Sequence, residues 1–171
     1  MFTVDQTYTV EGLAAFLRVR RQTVSKGTKL FRIFCWVLFV VVTLAYLLCL
    51  AISALEPGDP LLFLAPVMLL LFALLLIFED RLNGWIMYRR MIPGTVHSVT
   101  VFSEKEYTVS MDVGQTTYRY VAIYALRETE KYIFLFLTPR HGQIFEKACL
   151  QPADVPAFRA FLEERSQKSF P

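Results

Sequence analysis

The chain is 171 residues long, with 55% apolar and 19% charged residues and a formal net charge of +3. A soluble domain of this length has too little interior to hide that apolar fraction, so part of it is expected to meet lipid. The charge excess is small and its bases stand beside apolar runs instead of forming a patch of their own, which leaves nucleic-acid binding without support.

Residues 1–29 read as an N-terminal arm. Phe2, Val4, Tyr8 and Val10 alternate with Thr3, Asp5, Thr7 and Thr9, the period of a half-buried strand. A helix is expected to start near Thr9, with Glu11 in its first turn and Leu13, Phe16 and Leu17 along one face. Arg18, Arg20, Arg21, Lys26, Lys29 and Arg32 follow, up to the first apolar run. They suit an interfacial helix drawn to anionic lipid, or they do no more than set topology, which is the preferred reading.

Residues 33–55 hold no Asp, Glu, Lys, Arg or His, and neither do residues 60–78. The first run makes roughly 35 Å of helix, enough to cross a hydrocarbon core of about 30 Å. Transmembrane helices are therefore expected at 30–55 and 60–80, joined by an external turn at 56–59. In that turn Pro57-Gly58 suits the middle of a type II turn, and Asp59 with Pro60 suits a helix start. So short a link makes the helices antiparallel neighbours. The loop carries Glu56 and Asp59 but no base, whereas the arm's bases and Arg81, Arg89 and Arg90 flank the outer ends. The positive-inside rule then puts both termini in the cytoplasm of a multi-pass cell-membrane protein. A signal peptide cleaved near Ala51-Ile52-Ser53 is the competing reading, opposed by the length of the run and by the arm that precedes it. Pro66 would kink the second helix and free a backbone carbonyl for a hydration site or channel, yet no ionisable side chain accompanies it.

Residues 81–94 read as a juxtamembrane helix and linker, with Trp85 and Tyr88 suited to the headgroup belt and Pro93-Gly94 as the stop. From 95 to 165 the period falls to two. Tyr107, Val109, Met111 and Val113 alternate with polar residues, Gly114-Gln115 offers a turn, and 116–121 returns. Residues 132–138 are apolar on both faces, 139–142 turn, and 143–147 pair back. Residues 152–165 place Val155, Phe158, Phe161 and Leu162 on one helical face, and 166–171 form a tail. The fold class is α+β: a two-helix transmembrane hairpin and an antiparallel β-meander closed by one helix. Tyr120, Ile123, Leu126, Phe134, Phe158 and Phe161 are expected in one core. A lone strand in the arm is marginal in water. An even number of spans returns the chain to its starting side, so that strand is expected to pair with an edge of the C-terminal sheet, in the same chain or a neighbouring one.

The run Tyr120-x-x-Ile123-x-x-Leu126-x-Glu128-Thr129-x-x-Tyr132-x-Phe134-Leu135, followed by Ile144, Lys147 and Phe158, resembles the YcxB-like bacterial membrane proteins. The similarity in layout covers almost the whole chain, and the similarity in motif covers 107–165. The resemblance implies a pleckstrin-homology-type half-open barrel with a C-terminal helix, and no established activity. Tyr120 stands where the family often has Trp, which keeps an aromatic anchor. Glu146-Lys147-Ala148 stands where it often has Pro-Lys-Arg, so an anionic headgroup held there would lose a bidentate donor and meet a carboxylate.

No nucleophile elbow, phosphate loop or zinc motif is present in the sequence. His97 and His141 lack ligand spacing to each other or to Cys149. Glu104, Glu106, Glu128 and Glu130 read as solvated carboxylates at turns. Cys35 and Cys49 behave as small apolar residues within the first run. The sequence thus assigns no catalytic residue, metal or cofactor. The preferred function is a membrane-anchored binding, scaffold or regulatory module, its partners the bilayer and a protein partner or second copy. A transport or permeability component built from oligomerised hairpins is the alternative.

Overall fold

The alternation in the arm is a strand, and it sits inside a sheet. β1 (Phe2–Thr7) pairs antiparallel with β2 (His97–Phe102), in a register that runs from Phe2 opposite Phe102 to Thr7 opposite His97. Its other edge pairs with β8 (Leu150–Gln151), Thr3 opposite Gln151 and Val4 opposite Leu150. These positions come from a computed structural model that describes residues 1–24, 26–52 and 59–171. Most of the expected 56–59 turn lies outside the described residues. Its last residue, Asp59, accepts a hydrogen bond from the Leu61 N–H at 2.9 Å, as a helix cap does.

Two compact units result, Met1–Ser25 with Arg81–Pro171, and Lys26–Asp80. In the first, β2, β3 (Glu106–Met111) and β4 (Gly114–Arg119) complete a five-stranded sheet in the order β4-β3-β2-β1-β8. A second sheet holds β5 (Ala125–Glu128), β6 (Tyr132–Phe136) and β7 (Gly142–Glu146). The β3–β4 turn falls at Asp112-Val113, two residues before the expected Gly114-Gln115, because Met111 already pairs with Gly114. Val113 is drawn out of the alternation onto Gly94, whose φ of 85° is a glycine conformation. A Cβ there would lie 2.8 Å from a Val113 methyl.

One β1 side chain joins the two sheets. Gln6, only 5% exposed, donates to the Ile144 carbonyl at 2.5 Å and accepts from the Glu146 N–H at 2.8 Å. Its amide thus stands in for a strand bridge to β7, with donor and acceptor both used. Beside it, Val4 is buried with Phe102, Tyr107, Ile123, Leu126, Leu135 and Phe158 in the main core. α4 (Val155–Ser166) closes that core, capped by Asp154, which accepts from Ala157. The helix therefore starts three residues later than the expected 152. The tail is not loose either: Phe170 is buried in the same core and its N–H donates to Glu163 at 2.8 Å.

β6 separates this core from a second one. Ile133 and Leu135 face the main core, whereas Tyr132, Phe134 and Phe136 face Phe16 and Val19 of α1 (Val10–Val19). The expectation of one core is thus corrected for Phe134. Strand alternation turns it to the opposite face, where Phe16 stacks on Phe136 at 5.2 Å between ring centroids. Thr9 caps α1 by accepting from the Gly12 N–H at 3.1 Å, and one π-helical turn, Arg20–Val24, follows it.

The second unit contains α2 (Lys26–Ala51) and most of α3 (Leu61–Arg89). Lys29–Ala51 and Leu61–Arg89 are each long and apolar enough to cross a membrane. α3 is continuous past the expected boundary at 80 and accommodates Pro66 within it. A helical proline leaves the carbonyl four residues earlier without its N–H partner, here that of Leu62. The Tyr46 hydroxyl of α2 donates to it at 3.1 Å, so the carbonyl that Pro66 frees is taken by the neighbouring helix. Phe39 and Phe72 meet at 6.2 Å, and Arg32 reaches Glu79 at 3.9 Å.

Replacing Gln6→Leu leaves the Ile144 carbonyl and the Glu146 N–H buried without partners, and a loss of about 2 to 4 kcal/mol is expected. It should appear as faster amide exchange in β1 and β7 together, and unchanged exchange would contradict the bridge. In the hairpin, Tyr46→Phe should cost about 0.6 to 1.7 kcal/mol in a detergent unfolding titration. In a Pro66→Ala background, where the Leu62 carbonyl regains its helical partner, that cost should shrink.

Candidate functional site

The motif residues are distributed through the fold, and most of them hold it together. Tyr120, Ile123 and Leu126 are buried in the main core with Phe158. The Tyr120 hydroxyl donates to the Ser103 carbonyl at 2.7 Å, and burial pushes its pKa well up, so it stays a neutral donor. Thr129 shapes the β5–β6 turn: its N–H donates to the Tyr132 carbonyl at 2.8 Å, and its hydroxyl accepts from the Tyr132 N–H at 3.2 Å. Tyr132 and Phe134 lie on the opposite face, toward α1.

The charged members come together. Glu128 lies in β5, not at a solvated turn. One carboxylate oxygen accepts from the Lys147 amine at 2.5 Å and the other meets Arg159 of α4 at 3.1 Å. Side-chain exposures of 20% for Glu128 and 18% for Lys147 make this a shielded clamp of both sheet edges and the helix. A headgroup-binding role for Lys147 is thereby weakened further, since its charge is already met inside the fold.

The bases of the arm have separate fates. Arg21 is buried and Arg20 donates to the Arg140 carbonyl at 3.4 Å, while Arg32 belongs with Glu79 in the hairpin. The apolar stripe that an interfacial helix would turn to lipid packs on protein: Leu13, Phe16 and Val19 are buried, the last two of them in the second core. Lys29 is exposed, and the side chain of Lys26 lies outside the described ones. His97, an exposed strand residue, meets Asp5 at 2.8 Å across the β1–β2 pair.

The packing of α1 opens a cleft of about 620 Å³ lined by Thr9, Val10, Glu11, Ala14, Ala15, Arg18, Arg81 and Tyr132. Glu11, Ala14, Ala15 and Arg18 follow the 0, 3, 4, 7 spacing of one helix face. Arg81 comes from α3, and the two helices are locked by a close crossing: a Cβ on Gly84 would stand 2.8 Å from the Ala14 nitrogen. Burial raises the Tyr132 pKa, an effect that a hydrogen bond with Thr9 partly offsets, so the phenol presents a proton. The carboxylate of the cleft, Glu11, is bonded to Lys131 at 3.0 Å and raises the pKa of that amine. The lining is mixed: two arginines, a threonine that caps α1, a tyrosine, a glutamate and small apolar residues. Sequence reasoning named Arg18 as a base at the membrane surface, with setting topology as its preferred role, and Arg81 only as a flank. Their meeting needed the α1–α3 crossing, for which Gly84 was the one local signal.

Comparison with known proteins finds a family match for part of the chain. Residues 102–162 fit the YcxB-like protein family. No curated protein and no solved structure matches the chain. The matched stretch runs from the end of β2 into α4, so of the cleft residues only Tyr132 falls within it.

Removing the carboxylate of the clamp leaves Lys147 and Arg159 without their partner. Glu128→Ala should cost about 1.5 to 3 kcal/mol, and the double change Glu128→Leu with Lys147→Met should recover most of it. Chemical unfolding followed by circular dichroism reads both, and an additive double variant would contradict the pairing.

Proposed function

We propose that this chain, which carries a YcxB-like domain, is an integral membrane protein that holds the domain on the cytoplasmic face as a binding or scaffold module. The observation that carries the reading is the place of β1, paired on one edge with β2 and on the other with β8. Strand hydrogen bonds do not form through a bilayer, so the segments before α2 and after α3 must share a side. Two crossings meet that requirement. The apolar side chains along both helices are exposed, Phe63 and Leu64 among them, as lipid-facing positions should be. Bases flank the outer ends and the 56–59 loop carries two acids and no base, which supports the cytoplasm as the shared side.

Two antiparallel sheets with a C-terminal helix over the core agree in layout with a pleckstrin-homology-type half-barrel, with β1 as an added strand. The expected work is recognition, not chemistry, and fold alone names no ligand. The alternative of oligomerised hairpins that form a permeation path is disfavoured by Tyr46, which occupies the one carbonyl that Pro66 frees. The groove between the helices is also apolar, lined by Leu38, Val42, Ala65 and Met68 among others.

In intact cells, a Gly58→Cys variant lacking Cys35, Cys49 and Cys149 should react with an impermeant maleimide, whereas the matching Pro171→Cys variant should react only after permeabilisation. Labelling of position 171 from outside would refute the orientation. Cross-linking in mild-detergent extract should yield a distinct partner protein, and recovery of self-assembled copies alone would favour the permeation reading.

A further inference from the structure

We infer that the free edge of β4 pairs antiparallel with β4 of a second copy of this chain, about a two-fold axis at Thr117, so that two five-stranded sheets join into one. The pairing of β3 with β4 sets which backbone groups are free. Met111 and Gly114 close a two-residue hairpin, so they exchange hydrogen bonds, and alternation gives the same status to Val109 with Thr116 and to Tyr107 with Tyr118. Gln115, Thr117 and Arg119 are then the residues whose N–H and carbonyl point away from β3. The hydroxyls of Thr108 and Thr117, 3.0 Å apart, fit a pair without mutual backbone bonds, whose side chains stand closest. Among the described residues nothing bonds those outward groups.

Other sheet edges are covered or short. On β7, Gln6 takes the Ile144 carbonyl and the Glu146 N–H. On β5, Thr129 bonds Tyr132 across the pair, so alternation turns the Leu126 carbonyl outward, and there it accepts from the Arg127 guanidinium at 2.6 Å. β8 offers only two residues. β4 offers six, exposed except for the half-buried Tyr118, with no proline or lysine to discourage pairing.

The pattern along this edge selects a copy of itself. A two-fold register centred on Thr117 sets Gln115 opposite Arg119 and Thr116 opposite Tyr118, so like charges are nowhere opposed. It also sets Val113 of one copy level with Val121 of the other. These valines are 58% and 82% exposed, and with Tyr124 they are the exposed large apolar side chains among the described residues after 95. All three lie at the ends of β4 or on its connection to β5. Because Val113 stands four positions before Thr117 and Val121 four after it, the symmetry brings one of each together at both ends of the contact. Such a contact is isologous and closes at two copies.

The detergent-solubilised full chain tests this, and the test does not depend on the membrane reading. Sedimentation at loadings up to about 100 μM should show monomer and dimer in exchange. Thr117→Pro removes an outward N–H and spares the bonds to β3, whereas Thr117→Lys sets two ammonium groups across the axis. Each should weaken dimerisation about tenfold and leave the circular dichroism of the chain unchanged. Thr7→Lys, an exposed change on β1, should not weaken it. In a chain lacking Cys35, Cys49 and Cys149, Thr117→Cys should form an intermolecular disulfide on oxidation, because the pairing sets the two Cα atoms about 5.5 Å apart. Gln115→Cys should not, since its two copies stand about 14 Å apart, but it should link to Arg119→Cys when the two variants are mixed. A chain that stays monomeric would overturn the inference, as would a dimer that survives both Thr117→Pro and Thr117→Lys or a Gln115→Cys disulfide that forms as readily as that of Thr117→Cys. In cell membranes, a Thr117→Cys chain that cross-links to a different protein instead of to itself would overturn the second copy in favour of a partner's strand.

Discussion

The arm strand is shared by parts of the chain that the two long helices separate. β1 is an interior strand of the first sheet, and its neighbours β2 and β8 come from beyond α3. Without it, β2 and β8 would each expose a row of backbone donors and acceptors, and the main core would lose Val4. Gln6 extends the same dependence to the second sheet by bonding two backbone groups of β7. The domain that follows α3 is therefore completed by residues made before α2, and the hairpin is tied to one folded body at both of its ends.

From that tie follows the fate of α1. A strand fixed in the sheet leaves only Tyr8 and Thr9 before the helix starts, so α1 must fall across the nearby face of β6. β6 is apolar on both sides because it divides two cores, and Phe16 covers the side that α4 cannot reach. The apolar stripe of α1 is thus satisfied by protein, and the opposite stripe, with Glu11 and Arg18, is left to line a cleft with Arg81. The amphipathic face of α1 thus serves the domain.

Within the hairpin one polar interaction is forced by a single residue. Pro66 leaves the Leu62 carbonyl without its N–H, and in lipid such a group needs a partner from a neighbouring helix. Tyr46 supplies it. The contact also fixes the facing surfaces of α2 and α3, since Phe39 meets Phe72 and Arg32 meets Glu79 along the same antiparallel seam.

Periodicity and composition determined what is local. The two apolar helices, the alternation of β1, β3 and β4, the doubly apolar run of β6 and the face of α4 are all written in neighbouring residues, because burial on one face imposes a period of 2 or 3.6. The need for β1 to find a sheet was also legible, from the cost of an unpaired strand and the parity of the spans. The tertiary structure decided which edges β1 would meet, that Phe134 serves a different core from Phe158, that Glu128 is shared by Lys147 and Arg159, and that Arg18 and Arg81 line one cleft. Each of these joins residues far apart in the chain, Gln6 and Ile144 by 138 positions. A one-dimensional pattern records the face that a side chain occupies but not the partner across from it, and the closing of loops around a shared core makes that choice.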